Sequence, residues 1–94
     1  MSPKHNESRI QRMKFKLTSH AEKRILRRKI KLEWITATLE HPARTENDIE
    51  DASLVHALLP IPEKGFQVLR VIYNETVEPV DIVTVYFDEK VSNL

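Results

Sequence analysis

Cysteine is absent from the 94 residues. No disulfide framework, thiolate metal site or cysteine nucleophile can therefore form. Glycine occurs once, at Gly65, which excludes P-loop and dinucleotide fingerprints, since both bring backbone to phosphate through several glycines. No apolar run approaches the roughly 20 residues that span a bilayer. Residues 1–13 are polar and lack the apolar core of a secretion signal. These absences point to a cytoplasmic protein with no membrane association. The four histidines, His5, His20, His41 and His56, show no ligand spacing, so neither a metal nor a cofactor is expected. The acids gather in loop clusters such as Asp48, Glu50 and Asp51 and suggest no catalytic carboxylate pair.

What is present is charge, unevenly placed. The net charge of +1 divides into +9 over residues 1–32, from 11 Lys/Arg and 2 Asp/Glu, and −8 over residues 33–94, from 4 Lys/Arg and 12 Asp/Glu. A basic first third reads either as a polyanion-binding surface or as a solvated helix face balanced by acids elsewhere in the fold.

Residues 1–13 read as a basic arm, 14–89 as one α+β domain and 90–94 as a tail. Residues 14–18 alternate polar and apolar, as in a short strand or an extended lead-in. Ser19-His20-Ala21-Glu22 predicts a capping box opening the first helix. Ala21, Ile25 and Leu26 form its apolar stripe, and His20, Arg24 and Arg27 or Arg28 share a face. A second helix carries Leu32, Trp34, Ile35 and Leu39 and ends at Pro42. Being apolar and acidic, it is no base-reading helix of a helix–turn–helix.

The period then changes to two. Residues 44–49 are a short strand or loop, and 52–59 a strand. Residues 60–65 are a turn, 66–73 a strand, 74–79 a loop and 80–87 the last strand. The expected architecture is therefore two N-terminal helices packed on one face of a four-stranded, mainly antiparallel sheet. Val83, Val85 and Phe87 should face the helices, with Thr84 and Tyr86 outward. Arg70 joins them outward if the register allows, either solvated or paired with Asp81 or Glu75. His56 shares its face with Leu54 and Leu58.

The stretch Phe15-Lys16-Leu17-Thr18-Ser19-His20-Ala21-Glu22-Lys23-Arg24 resembles the opening of a bacterial domain-of-unknown-function family. In that family a short strand leads into a Ser/Thr-x-His-Ala-x-x-Arg helix. Ile30 to Ile35, Leu39-Glu40-His41-Pro42, Val68 to Tyr73 and Asp81 to Phe87 are similar to its later elements. The resemblance runs from Phe15 to Asp88. The sequence departs from it at Lys29, where glycine or asparagine is usual, and at Lys31, where a Ser/Thr cap is usual. The family is similar to the BrnT and RelE-like toxins with a barnase-like fold. This implies a metal-independent ribonuclease, RNA as substrate and an antitoxin protein as partner. It carries over to His20, Arg24, Arg70, Thr84 and Tyr86.

Metal-free RNA cleavage by the 2′-hydroxyl needs proton carriers and cations for the phosphorane. On that expectation His20 is the general acid/base, and Arg24 and Arg70 are the phosphate cations. Tyr86 is a hydroxyl donor or stacking platform, and His56 the second proton carrier. Lys14, Lys16, Arg27, Arg28 and Thr84 line the RNA path. Two other classes remain open: a non-catalytic RNA-binding module, and a protein-binding domain whose basic face docks an acidic partner. A solely structural role for His20, fixing the helix to the sheet, also stays open.

Overall fold

The computed structural model describes residues 14–92 and 94, so the basic arm expected over residues 1–13 lies outside the described residues. The order of elements is β1 (Phe15–Leu17), α1 (Ser19–Arg28), α2 (Leu32–Glu40), β2 (Arg44–Asn47), β3 (Leu54–Ile61), a 3-10 turn (Pro62–Lys64), β4 (Gln67–Asn74) and β5 (Val80–Phe87). The sheet order is β1-β5-β4-β3-β2. The architecture is α+β, but the sheet has five strands and is mixed. Three residues of β1 pair parallel with β5, Phe15 against Val80 and Leu17 against Ile82. The expected four-stranded sheet missed this strand because three residues carry too little periodicity to be distinguished from a lead-in.

Thr18, not Ser19, caps α1. It is extended (φ −69°, ψ 162°), a geometry that suits a β-branched residue. Its hydroxyl accepts from the Ala21 N–H at 3.2 Å and donates to the Val83 carbonyl at 3.2 Å. The expected capping box does not form: the cap stands one residue earlier, Ala21 at the third helical position has no side chain to reach back, and His20 is the second helical residue rather than the first. One hydroxyl both ends the strand and starts the helix. At the other end Lys29 takes the left-handed conformation (φ 56°). Ile30 N–H donates to the Ile25 carbonyl at 3.0 Å and Lys29 N–H to the Leu26 carbonyl at 3.4 Å. That is a Schellman closure, with Ile25 and Ile30 both buried beneath it. The turn forms without the usual glycine or asparagine. Lys31 precedes α2 without any side-chain cap.

Both helices lie on one face. Ala21, Ile25, Ile30, Trp34, Ile35 and Leu39 pack on Ile61, Leu69, Val71, Ile82 and Val85. The Trp34 and Phe87 rings meet edge to face at 6.0 Å. Thr38, wholly buried, donates its hydroxyl to the Trp34 carbonyl at 2.8 Å.

The β4 alternation is as expected, with Leu69, Val71 and Tyr73 toward the helices. In β5 the expected split is corrected. Ile72 pairs with Thr84 but Tyr73 with Ile82, so Val83 is the extra residue of a bulge. The bulge lets both Ile82 and Val85 enter the core, each at 0% exposure. It also leaves the Val83 carbonyl for Thr18.

Two boundaries move. β3 begins at Leu54 because Asp48 and Asp51 hold the preceding loop in aspartate turns. Asp48 accepts from the N–H groups of Glu50 and Asp51 at 3.1 and 3.0 Å, and Asp51 accepts from Ser53 N–H at 2.9 Å. β3 then runs through Pro60, past the point where β2 ends opposite Leu58. A proline is tolerated there because no strand lies on that side to need its N–H.

Candidate functional site

The helix-free face of the sheet gathers its chemistry through register. Arg44, Leu58, Arg70 and Tyr86 stand side by side across β2, β3, β4 and β5. One step along, Glu46, His56, Ile72 and Thr84 form a second row. Asp48 and Asp88 follow two residues beyond Glu46 and Tyr86, so they point the same way.

Arg70 is the centre. It is 8% exposed, a costly place for a guanidinium without partners. Its Nε donates to Asp88 Oδ2 at 2.8 Å, and its Nη1 donates to Glu46 Oε1 at 3.1 Å and to His56 Nδ1 at 2.8 Å. The partners anticipated from sequence, Asp81 and Glu75, are not those used. Among the described residues nothing accepts from Nη2, so that edge keeps two donors. Glu46 also binds Arg44, Oε2 to Nη2 at 3.0 Å. The two arginines flank Leu58, which is 0% exposed though it lies outside the helix-side core.

His56 is held at both ring nitrogens. Nε2 is 2.7 Å from Asp48 Oδ1. An arginine N–H can only donate, so Nδ1 accepts and Nε2 carries the proton given to Asp48. The network thus fixes the tautomer and aims the Nδ1 lone pair at Arg70.

Charges follow from these contacts. Burial alone would push the Arg70 guanidinium toward neutrality, but its hydrogen bonds to Glu46 and Asp88 outweigh it and raise its pKa. The Arg70 hydrogen bond holds Glu46 below the ordinary carboxylate range. The His56 hydrogen bond does the same for Asp48. Burial works against Asp88 ionisation, yet the Lys90 backbone N–H and Arg70 hold its carboxyl low. Carboxyls depressed in the folded state contribute stability that is complete above their unfolded pKa, near 4, and is lost as pH falls below it. The urea midpoint is therefore expected to fall between about pH 5 and about pH 3, and Asp88→Asn to flatten that fall. Equal slopes in the two proteins, followed by tryptophan fluorescence, would contradict this assignment.

The site residues expected from sequence divide between the two sides of the sheet. Arg70, Tyr86, His56 and Thr84 come together on the open face. His20, Arg24, Arg27 and Arg28 lie on α1, which packs on the opposite face against β1 and β5. His20, Arg27 and Arg28 are exposed, as are Lys14 and Lys16 beside β1. Among the described residues no hydrogen bond or ion pair joins any of these six to Arg70. Sequence reasoning missed Glu46, Asp48 and Asp88. Glu46 lies within β2, and Asp48 and Asp88 directly follow β2 and β5, so the signal was the register that sets those strands beside His56 and Arg70. Among the described residues no group of three or more His, Cys, Asp or Glu side chains is placed to hold a metal ion. No helix there is long and apolar enough to cross a membrane.

The family model described as Domain of unknown function (DUF4258) matches residues 17–87. The chain belongs to that family. The DUF4258 match runs from the last residue of β1 through the end of β5, and so includes every member of the network except Asp88. No curated protein and no solved structure matches the chain.

Proposed function

We propose that this DUF4258 protein is a metal-independent endoribonuclease of the toxin type, kin to the BrnT and RelE-like toxins, with its site on the open sheet face. The observation that carries this reading is the 2.8 Å contact between His56 Nδ1 and Arg70 Nη1, with Asp48 on the other ring nitrogen. A proton acceptor of defined tautomer stands beside a permanent cation.

The chemistry runs as follows. As the phosphate arrives, Arg70 Nη1 turns from His56 Nδ1 to a phosphate oxygen; the freed Nδ1 lone pair takes the RNA 2′-hydroxyl proton, and Asp48 stabilises the resulting imidazolium. The 2′-oxygen bonds to phosphorus as the P–O5′ bond breaks. The 5′-oxygen takes a proton from the Tyr86 hydroxyl or from water, which leaves a 2′,3′-cyclic phosphate. Arg70 binds the phosphorane oxygens through the edge that Asp88 leaves open. Glu46, 39% exposed, swings into solvent as phosphate arrives. Proton transfer is assigned to His56 rather than His20 because only His56 touches Arg70. Arg24, Arg27 and Arg28 serve the flanking RNA backbone. An acidic antitoxin segment is the partner this reading includes, and the cytosol is its setting.

One observation favours a non-catalytic, protein-binding module instead. Arg44 and Arg70 are outnumbered by Glu46, Asp48 and Asp88, so the network as it stands carries one net negative charge. The deciding experiment incubates the purified protein with a mixed RNA pool in EDTA and examines the product ends. Cleavage leaving cyclic phosphates is the expected result. Salt-sensitive RNA binding without cleavage would replace the enzyme by an RNA-binding module, and neither binding nor cleavage would replace it by the protein-binding one.

A further inference from the structure

The connection between β3 and β4 needs two successive left-handed residues to bring Gln67 back opposite Ile61. They are Gly65 (φ 63°) and Phe66 (φ 65°). Gly65 donates to the Pro62 carbonyl at 3.0 Å and Phe66 to the Ile61 carbonyl at 2.9 Å. Glycine takes this conformation readily, whereas a bulky aromatic residue is strained in it. Burial of the ring would offset that strain, but Phe66 is 67% exposed. Of the six aromatic residues it alone is exposed. The turn does not need the ring, and the core does not hold it.

Two further observations indicate what the ring serves. Phe66 adjoins β4, the strand that carries Arg70, four residues and so about 13 Å upstream. Its immediate surroundings are polar, with Glu63, Lys64 and Gln67 all exposed. A lone ring among polar groups suits the face of a nucleobase, which stacks without needing an apolar surround. A protein partner would seek a wider apolar patch.

We infer that Phe66 is a base-stacking platform that grips single-stranded RNA a few nucleotides from the bond cut at Arg70. This inference rests on the RNA reading above. The probe is a fluorescein-labelled 2′-O-methyl RNA of mixed sequence. It has no free 2′-hydroxyl, so no variant can cleave it. Phe66→Gly is expected to raise Tm and to weaken binding about 10-fold. Phe66→Leu, apolar but ringless, should weaken binding similarly, and Phe66→Trp should bind as tightly as the wild type. Leucine and glycine variants that bind like the wild type would overturn the inference, as would a wild-type protein that cuts RNA but does not bind the probe. If ring-dependent binding holds while no RNA is cut in EDTA, the stacking site stands and the ribonuclease reading falls.

Discussion

His56→Ala is expected to lower RNA cleavage about 10²- to 10⁴-fold, the range of a lost general base, while costing only about 1 kcal/mol of stability. The modest stability loss follows from what the side chain leaves behind. Asp48 is exposed enough to be rehydrated and keeps its backbone donors from Glu50 and Asp51. Arg70 keeps Asp88 and Glu46. The large activity loss follows from the fixed tautomer, since no other group among the described residues sets a proton acceptor against the Arg70 guanidinium without already being ionised to balance it. Asp48→Asn separates orientation from proton transfer. Its amide oxygen still accepts from Nε2, so its loss should be smaller than that of His56→Ala. Rates under EDTA with matched circular dichroism spectra check both. A His56→Ala enzyme that cuts at the wild-type rate would remove this residue from the reaction.

Arg70→Ala is expected to abolish cleavage and to destabilise the fold by about 3 kcal/mol, lowering Tm by about 15 °C. The loss is not shared evenly among its partners. Glu46 is 39% exposed and returns to water at little cost. Asp88 is 13% exposed and would be left with a charge balanced only by local backbone. Leu58, wholly buried, would lose the arginine beside it in the β3–β4 register. The double variant Arg70→Leu/Asp88→Leu should recover much of the stability, because apolar pairs often replace buried ion pairs without loss, but none of the activity. Urea titrations of Arg70→Leu, Asp88→Leu and the double close the cycle. Additive losses in the double variant would show that Arg70 and Asp88 stabilise the sheet independently.

Much of this was legible in the residue pattern. The last strand lies where alternation places it, both helices stand within a residue or two of expectation, and Arg70, Thr84 and Tyr86 share the outward face. What escaped depends on contacts distant in sequence. The Val83 bulge shifts half a strand by one residue, and nothing in a run of Ile82, Val83, Thr84 and Val85 marks which residue is extra. The pairing of Glu46 with His56 requires the β2–β3 register, which the aspartate-held loop sets. For the same reason the reading favoured His20, attached to a recognisable helix start, over His56, whose neighbours are distant in sequence.

The double role of Thr18 bears on the order in which the domain assembles. Its hydroxyl meets a carbonyl 65 residues further along the chain. β2, β3 and β4 pair through short connections and close early, since nearby segments lose little entropy on meeting. The first turn of α1 can cap locally, but its docking on the sheet must wait for β5, the last of the five strands in chain order. During translation, the basic helix is therefore unanchored on the sheet until β5 has followed.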